Sequence, residues 1–238
     1  MGGDHIKYDV SPQYLANYPY YSRHGQDKFL NEKIFKNKQH GIFVDLGAYD
    51  GVESSNTLFF EESLKWNGIC VEPLPKAFEK LKKNRNCLCI NKCALGSDGI
   101  YSFMHVNPKI CPPSPREPGR TSNYEKMSGL VNFYDPKHRK IIDDVVSKYG
   151  GNKTILKIEC ENINSILKQL NSNYIDLFSI DTEGSELDIL KQINFEKFNI
   201  KAIVTEVLYH ENDILNFMKE VKYKKIGEIG YDWIFEKV

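Results

Sequence analysis

The chain has 238 residues, 41% of them apolar and 27% charged, with 32 basic side chains against 32 acidic ones. That length and mixture fit one α/β domain with a sizeable core, and the zero net charge argues against a nucleic-acid binder, which carries a basic excess. No apolar run reaches the ~18 residues that span a bilayer, and the opening "MGGDHIKYDV" lacks the apolar core of a secretory signal. A cytoplasmic protein without membrane contact is therefore expected, with reduced cysteines. Residues 1–24 show no period and read as an irregular arm ahead of one domain over 25–238. "QDKFLNEKIFKN" (26–37) puts Phe29, Leu30 and Ile34 on one helical face. "GIFVDLG" (41–47) is a short apolar run of the buried-strand kind. A helix over 53–66 follows, then a strand "GICVEP" (68–73) stopped by Pro73. A helix from Pro75 to Asn84 comes next, then a strand "CLCIN" (87–91). This β-α-β-α-β series with short connections predicts a parallel sheet with right-handed crossovers.

The middle is less regular. A strand is expected over 99–106. Five prolines follow within 107–123, which predicts a long loop, the usual seat of specificity or of a lid. Residues 136–149 read as a helix whose "KHRK" (137–140) is a solvated basic face. A strand from Thr154 and a helix to about residue 170 come next. "YIDLFSIDTEGSELDILKQI" (174–193) is strand, acidic turn, helix. "KAIVTEVLYHENDILNFMKEV" (201–221) repeats that order, and two closing strands end the chain. Cys87, Cys89 and Cys93 cluster without CxxC spacing, so strand burial is the better reading than zinc.

Open parallel sheets bind ligands beyond the carboxyl ends of their strands. The residues expected there are Asp45, Gly47, Glu72, Asp181, Glu183, Glu206 and His210. An acidic lining is wrong for a phosphate, and neither a Walker loop nor a full GxGxxG is present. A cofactor with a carboxylate and a positive centre suits it better, and S-adenosylmethionine is one. Gly47 and Gly51 would let its methionyl end approach the backbone. Asp45 would organise the turn, and Glu72 would accept both ribose hydroxyls by charge-assisted hydrogen bonds. Cys93 and Ala94 would border the adenine. The carboxylate at 72 alone would suit a ribose of NAD equally. Asp181 and Glu183 would stand beside the sulfonium methyl as base and helper, or hold a divalent metal with a water. Glu206 and His210 are further candidates for catalysis. Plainer readings stand beside these: turn chemistry at Asp45, a helix cap at Asp181 and a solvated loop histidine at His210.

Six segments in order carry a resemblance: "GQDKFL" (25–30), "FVDLGAYDGVESSNT" (43–57), "WNGICVEPLPKAFEKLKKNR" (66–85), "NKCALGSDG" (91–99), "MSGL" (127–130) and "SIDTEGSELDIL" (179–190). They resemble the FkbM family of S-adenosylmethionine-dependent methyltransferases. The resemblance implies a Rossmann-like class I methyltransferase fold: a mostly parallel seven-stranded sheet flanked by helices, with an antiparallel last strand. It implies methyl transfer to an oxygen, commonly of a sugar or related small molecule. It adds Gln26, Ala48, Ser55, Asn56 and Pro73 to the expected cofactor neighbours, and Asp181 belongs to that group too. Methylation of an RNA ribose at a cap is the rival enzymatic reading, and a cofactor-binding domain without turnover is the third.

Overall fold

The structure, a computed structural model, describes residues 20–111 and 122–238. The chain opens with a one-turn helix α1 (Gln26–Phe29), which widens into a π-helical stretch over Leu30–Phe35. Strand β1 (Ile42–Leu46) leads to α2 (Leu58–Leu64), then β2 (Asn67–Val71), α3 (Pro75–Asn84) and β3 (Leu88–Ile90). β4 (Cys93–Leu95), β5 (Gly99–Pro108), β6 (Gly129–Leu130), α4 (Pro136–Tyr149) and β7 (Gly151–Asn162) follow. The series closes with α5 (Ile163–Leu167), β8 (Tyr174–Ile180), α6 (Glu186–Gln192), β9 (Asn199–Glu206), α7 (Glu211–Glu220), β10 (Tyr223–Ile229) and β11 (Asp232–Lys237).

Seven strands form one sheet in the order β10-β11-β9-β8-β1-β2-β3. β3, β2, β1, β8 and β9 run parallel, while β11 is antiparallel to both its neighbours, β9 and β10. This is the expected sheet with an antiparallel last strand, inserted between its two predecessors. The strands are apolar on both faces because each face has its own helical cover. Val44, Leu46, Ile69, Val71, Phe178, Ile180 and Ile203 pack with α5, α6 and α7. Their sequence neighbours Phe43, Cys70, Leu177, Ala202 and Val204 pack with the π-helical stretch, α2 and Leu81 of α3. Strand side chains alternate between faces, so one apolar run feeds both layers.

A second sheet, in the order β4-β7-β5-β6, lies between β3 and β8 in the chain. β5 and β7 pair antiparallel over ten positions, from Gly99↔Cys160 to Pro108↔Gly151. Two of its strands were expected individually, over 99–106 and from Thr154; β4, β6 and the separate layer were not. β5 continues through Asn107 and Pro108, so the expected loop starts later than residue 107. Residues 112–121 of that loop, and 1–19 of the expected arm, lie outside the described residues. Among the described residues, no helix is long and apolar enough to cross a membrane.

α3 starts where its sequence demands, with Pro75 in the first turn and Ala77 and Leu81 buried. α4 also starts on a proline. Asp135 caps it by accepting a hydrogen bond from the backbone N–H of Lys137 (2.7 Å).

Candidate active site at the strand carboxyl ends

A cleft of about 910 Å³, open to solvent, lies across the carboxyl ends of β1, β2 and β8. Asp45, Gly47, Ala48, Ser55, Asn56, Glu72, Pro73, Cys93, Ala94, Asp181 and Glu183 all line it.

The turn after β1 is built from the sheet itself. The backbone N–H groups of Gly47 and Ala48 both donate to the Val71 carbonyl (3.0 and 3.1 Å), and that of Asp181 donates to the Leu46 carbonyl (3.0 Å). Gly47 has φ +81°, and a Cβ there would come within 1.8 Å of the Asp181 carbonyl oxygen. Glycine is therefore required so that β1 and β8 can end side by side; close approach of a cofactor is not needed to explain it. Gly51, also at φ +81°, does not line the cleft. A Cβ there would come within 2.7 Å of the side chains of Arg85 and Leu81. Packing alone accounts for the glycine at both positions, and of the two only Gly47 lines the cleft where a methionyl group was expected.

Asp45 is buried and accepts a hydrogen bond from Thr57 Oγ1 (2.6 Å). Burial holds its carboxyl above the usual carboxylate range, against the pull of Arg85. Arg85, itself buried, ties the whole loop together. It donates to Glu61 Oε2 (2.7 Å), the Gly51 carbonyl (3.2 Å), Ser55 Oγ (3.3 Å) and Thr57 Oγ1 (3.0 Å). Ser55 Oγ accepts from the N–H groups of Thr57 and Leu58 and so starts α2. Asn56 Nδ2 donates to Ser179 Oγ (3.2 Å), joining this loop to β8.

Glu72 follows β2 and is only 4% exposed. Its Oε2 accepts from the Tyr49 N–H (2.9 Å) and its Oε1 from the Leu74 N–H (2.7 Å). The two backbone donors fix the plane of the carboxylate. Each oxygen keeps a free lone pair for a hydroxyl. Burial, only partly offset by those two bonds, pushes its pKa up to about 7. Cys93 and Ala94 on β4 close that end of the cleft.

The segment after the undescribed residues forms one wall. Ser128 and Leu130 line the cleft, as do Glu125 and Lys126. Tyr49 Oη donates to Glu125 Oε2 (2.8 Å), Asn123 Nδ2 donates to Tyr49 Oη (2.9 Å), and Lys126 Nζ pairs with Glu53 Oε1 (3.1 Å). These contacts strap the wall to the loop after β1. Tyr49, Glu125 and Lys126 were not singled out from sequence. "MSGL" (127–130) was the signal that pointed to this wall.

At the other end, Asp181, Glu183 and Glu206 bring carboxylate oxygens within 4.8 Å of one another. Asp181 follows β8, and Glu206 ends the adjacent parallel strand β9, so the sheet register sets them together. Asp181 is exposed and lines the cleft. Desolvation by the surrounding protein, then the charges of Asp232 and Glu186, push its pKa up to about 7. Burial and neighbouring carboxylates also raise Glu183 and Glu206 well above their usual range. Glu183 sits at φ +59°, a strained conformation for a non-glycine. Glu186 locks that turn, accepting from the N–H groups of Thr182 and Gly184. Gln26 does not reach the cleft: its Nε2 donates to Asp232 Oδ2 (2.5 Å) and its Oε1 accepts from His24 N–H. Glu206 and His210 line a smaller adjoining pocket that shares Glu183. His210 precedes α7 with its side chain 57% exposed, 3.6 Å from Asp213.

His138 corrects the reading of "KHRK". Lys137, Arg139 and Lys140 are exposed, but His138 turns inward and is 4% exposed. It belongs to the buried stripe His138, Ile142, Val145 of α4, a helical spacing visible in the sequence.

The family model described as the methyltransferase FkbM domain matches residues 45–225. The chain belongs to the FkbM methyltransferase family. The matched region runs from Asp45 through both closing carboxylates to Lys225, and so contains the whole cleft. Among solved structures, a methyltransferase FkbM from Methylobacillus flagellatus KT is similar at 13% identity with a TM-score of 0.45. The match covers 84% of this chain and 44% of that one, so this chain spans less than half of that protein. A precorrin-6y C5,15-methyltransferase from Geobacter metallireducens GS-15 matches at 8% identity and a TM-score of 0.39, over 98% of this chain and 97% of its own. A TehB-like S-adenosylmethionine-dependent methyltransferase from Corynebacterium glutamicum matches at 8% identity and 0.40, over 91% and 89%. No likeness at these levels transfers a substrate. No curated protein matches the chain.

Proposed function

We propose that this FkbM methyltransferase moves the methyl group of S-adenosylmethionine to a hydroxyl oxygen of a sugar, free or within a glycan. The observation that supports this is the continuity of one cleft from Glu72 to Asp181 and Glu183. A ribose held at Glu72 leaves the methionyl end along the turn at Gly47 and Ala48. The sulfonium methyl then faces the carboxylates.

The acceptor oxygen attacks the methyl carbon from the side opposite sulfur. The C–O bond forms as the C–S bond breaks, and S-adenosylhomocysteine leaves. The acceptor's proton passes to the carboxylate cluster. Alignment of the two reactants supplies on the order of 7–11 kcal/mol of barrier reduction. Proton removal by a placed base contributes about 10²–10⁴-fold. Carboxylates also suit a polyol, since each accepts hydrogen bonds from neighbouring hydroxyls.

An RNA acceptor would bring phosphates against Glu53, Glu125, Asp181 and Glu183, with Lys92 and Lys126 as the cations lining the cleft. That charge balance favours the neutral sugar. The test is transfer of labelled methyl from S-adenosylmethionine to panels of glycans, capped and uncapped RNA, and proteins. Label in glycan supports the proposal. Label confined to RNA or protein, or donor binding without transfer to any panel, rejects it.

A further inference from the structure

We infer that Asp181, Glu183 and Glu206, with the His138 ring set against Glu183, form a binding site for a divalent cation of the magnesium or manganese type. The three carboxylates offer oxygens within 4.8 Å of one another. His138 supplies an independent pointer. Its ring is 4% exposed, and its Nε2 is fully buried without a hydrogen-bond partner among the described residues. A buried ring nitrogen without a hydrogen-bond partner loses the hydrogen bonds it makes in water. That nitrogen faces Glu183 Oε2 at 3.2 Å, an ion pair only when the ring is protonated, and no hydrogen bond joins the two.

The surroundings hold the donors rather than neutralise them. Tyr134 stacks on the His138 ring at 5.4 Å and Tyr209 meets it edge-on at 6.0 Å. Glu186 spends its oxygens on the turn and takes none of the donors that face Glu183. Three carboxylate oxygens suit a hard cation and not a thiophilic one. The cation would stand beside the proposed methyl position and lower the pKa of a bound acceptor hydroxyl, while open coordination positions take the acceptor's oxygens. This role rests on the methyl-transfer reading; the binding itself does not.

The experiment titrates Mn²⁺ alone into the full chain and follows free Mn²⁺ by electron paramagnetic resonance. S-adenosylmethionine affinity is measured in parallel by calorimetry. One Mn²⁺ per chain is expected. Glu206→Gln and His138→Ala should each weaken it about tenfold or more, with circular dichroism and donor affinity unchanged. Absence of stoichiometric Mn²⁺ binding, or unchanged affinity in either folded variant, overturns the inference. If Glu206→Gln does not fold, His138→Ala decides. Donor binding without Mn²⁺ binding removes the cation and leaves the transferase. Mn²⁺ binding without donor binding does the reverse.

Discussion

Replacing Glu72 with glutamine probes the ribose contact with little change in shape. In the native chain both oxygens of Glu72 accept backbone hydrogen bonds, and each retains capacity for one hydroxyl. Glutamine keeps one acceptor, loses the charge and turns an amide N–H₂ towards either the Tyr49 or the Leu74 donor. A hydrogen bond to a charged acceptor contributes about 1.5–3 kcal/mol. Losing one should weaken donor binding roughly 10- to 140-fold, at about 1.4 kcal/mol per decade. A pH effect accompanies it. The pKa of Glu72 rises from 4.5 to about 7 on folding, so the folded chain holds a proton that the unfolded chain has released between those values. The stability associated with that proton, roughly 3 kcal/mol, is complete below pH 4.5 and is lost as pH rises through 7. Ribose hydroxyls donate to the ionised form, so binding has the opposite slope. Donor affinity should fall about tenfold per pH unit below pH 7 in the native chain and lose that component in Glu72→Gln. Calorimetry between pH 5.5 and 8.5 reads both. A Kd within twofold of the native value, or an unchanged pH slope in the variant, refutes the ribose assignment.

Asp181→Asn should lower the single-turnover rate about 10²–10⁴-fold at saturating donor and leave donor affinity within severalfold; a native rate would remove Asp181 from the chemistry. Arg85→Ala strands Glu61 and Asp45 in a buried network and should cost about 3–5 kcal/mol in urea unfolding. Arg85→Ala with Glu61→Ala should recover part of that loss, and no recovery would deny the pairing. Gly47→Ala drives a Cβ against the Asp181 carbonyl at positive φ and should cost roughly 2–5 kcal/mol, read as a lower denaturation midpoint; an unshifted midpoint would show that β1 and β8 are free to part.

The parallel half of the main sheet was legible because its strands are short apolar runs stopped by glycine or proline, and because Pro75 and Pro136 mark helix starts. Glu72 and Asp181 were found because carboxylates ending such strands have few structural reasons to be there. The second sheet was hidden for the opposite reason. β7 is largely exposed along Gly151–Lys157 and lacks a clean alternation, and β4 and β6 are too short to carry a period. The pairing of β5 with β7 spans more than forty residues of sequence and leaves no local mark. The packing reason for Gly47 was hidden because a strand-to-strand approach cannot be read from one strand alone. His138 was hidden among three basic neighbours, although its place on the Ile142–Val145 stripe was visible.

The most direct test of the account is a crystal structure of the full chain with S-adenosylhomocysteine. The account predicts ribose hydroxyls donating to both oxygens of Glu72, adenine beside Cys93 and Ala94, and the sulfur turned towards Asp181. A nucleoside bound elsewhere, or a crevice that admits none at saturating concentration, would contradict it.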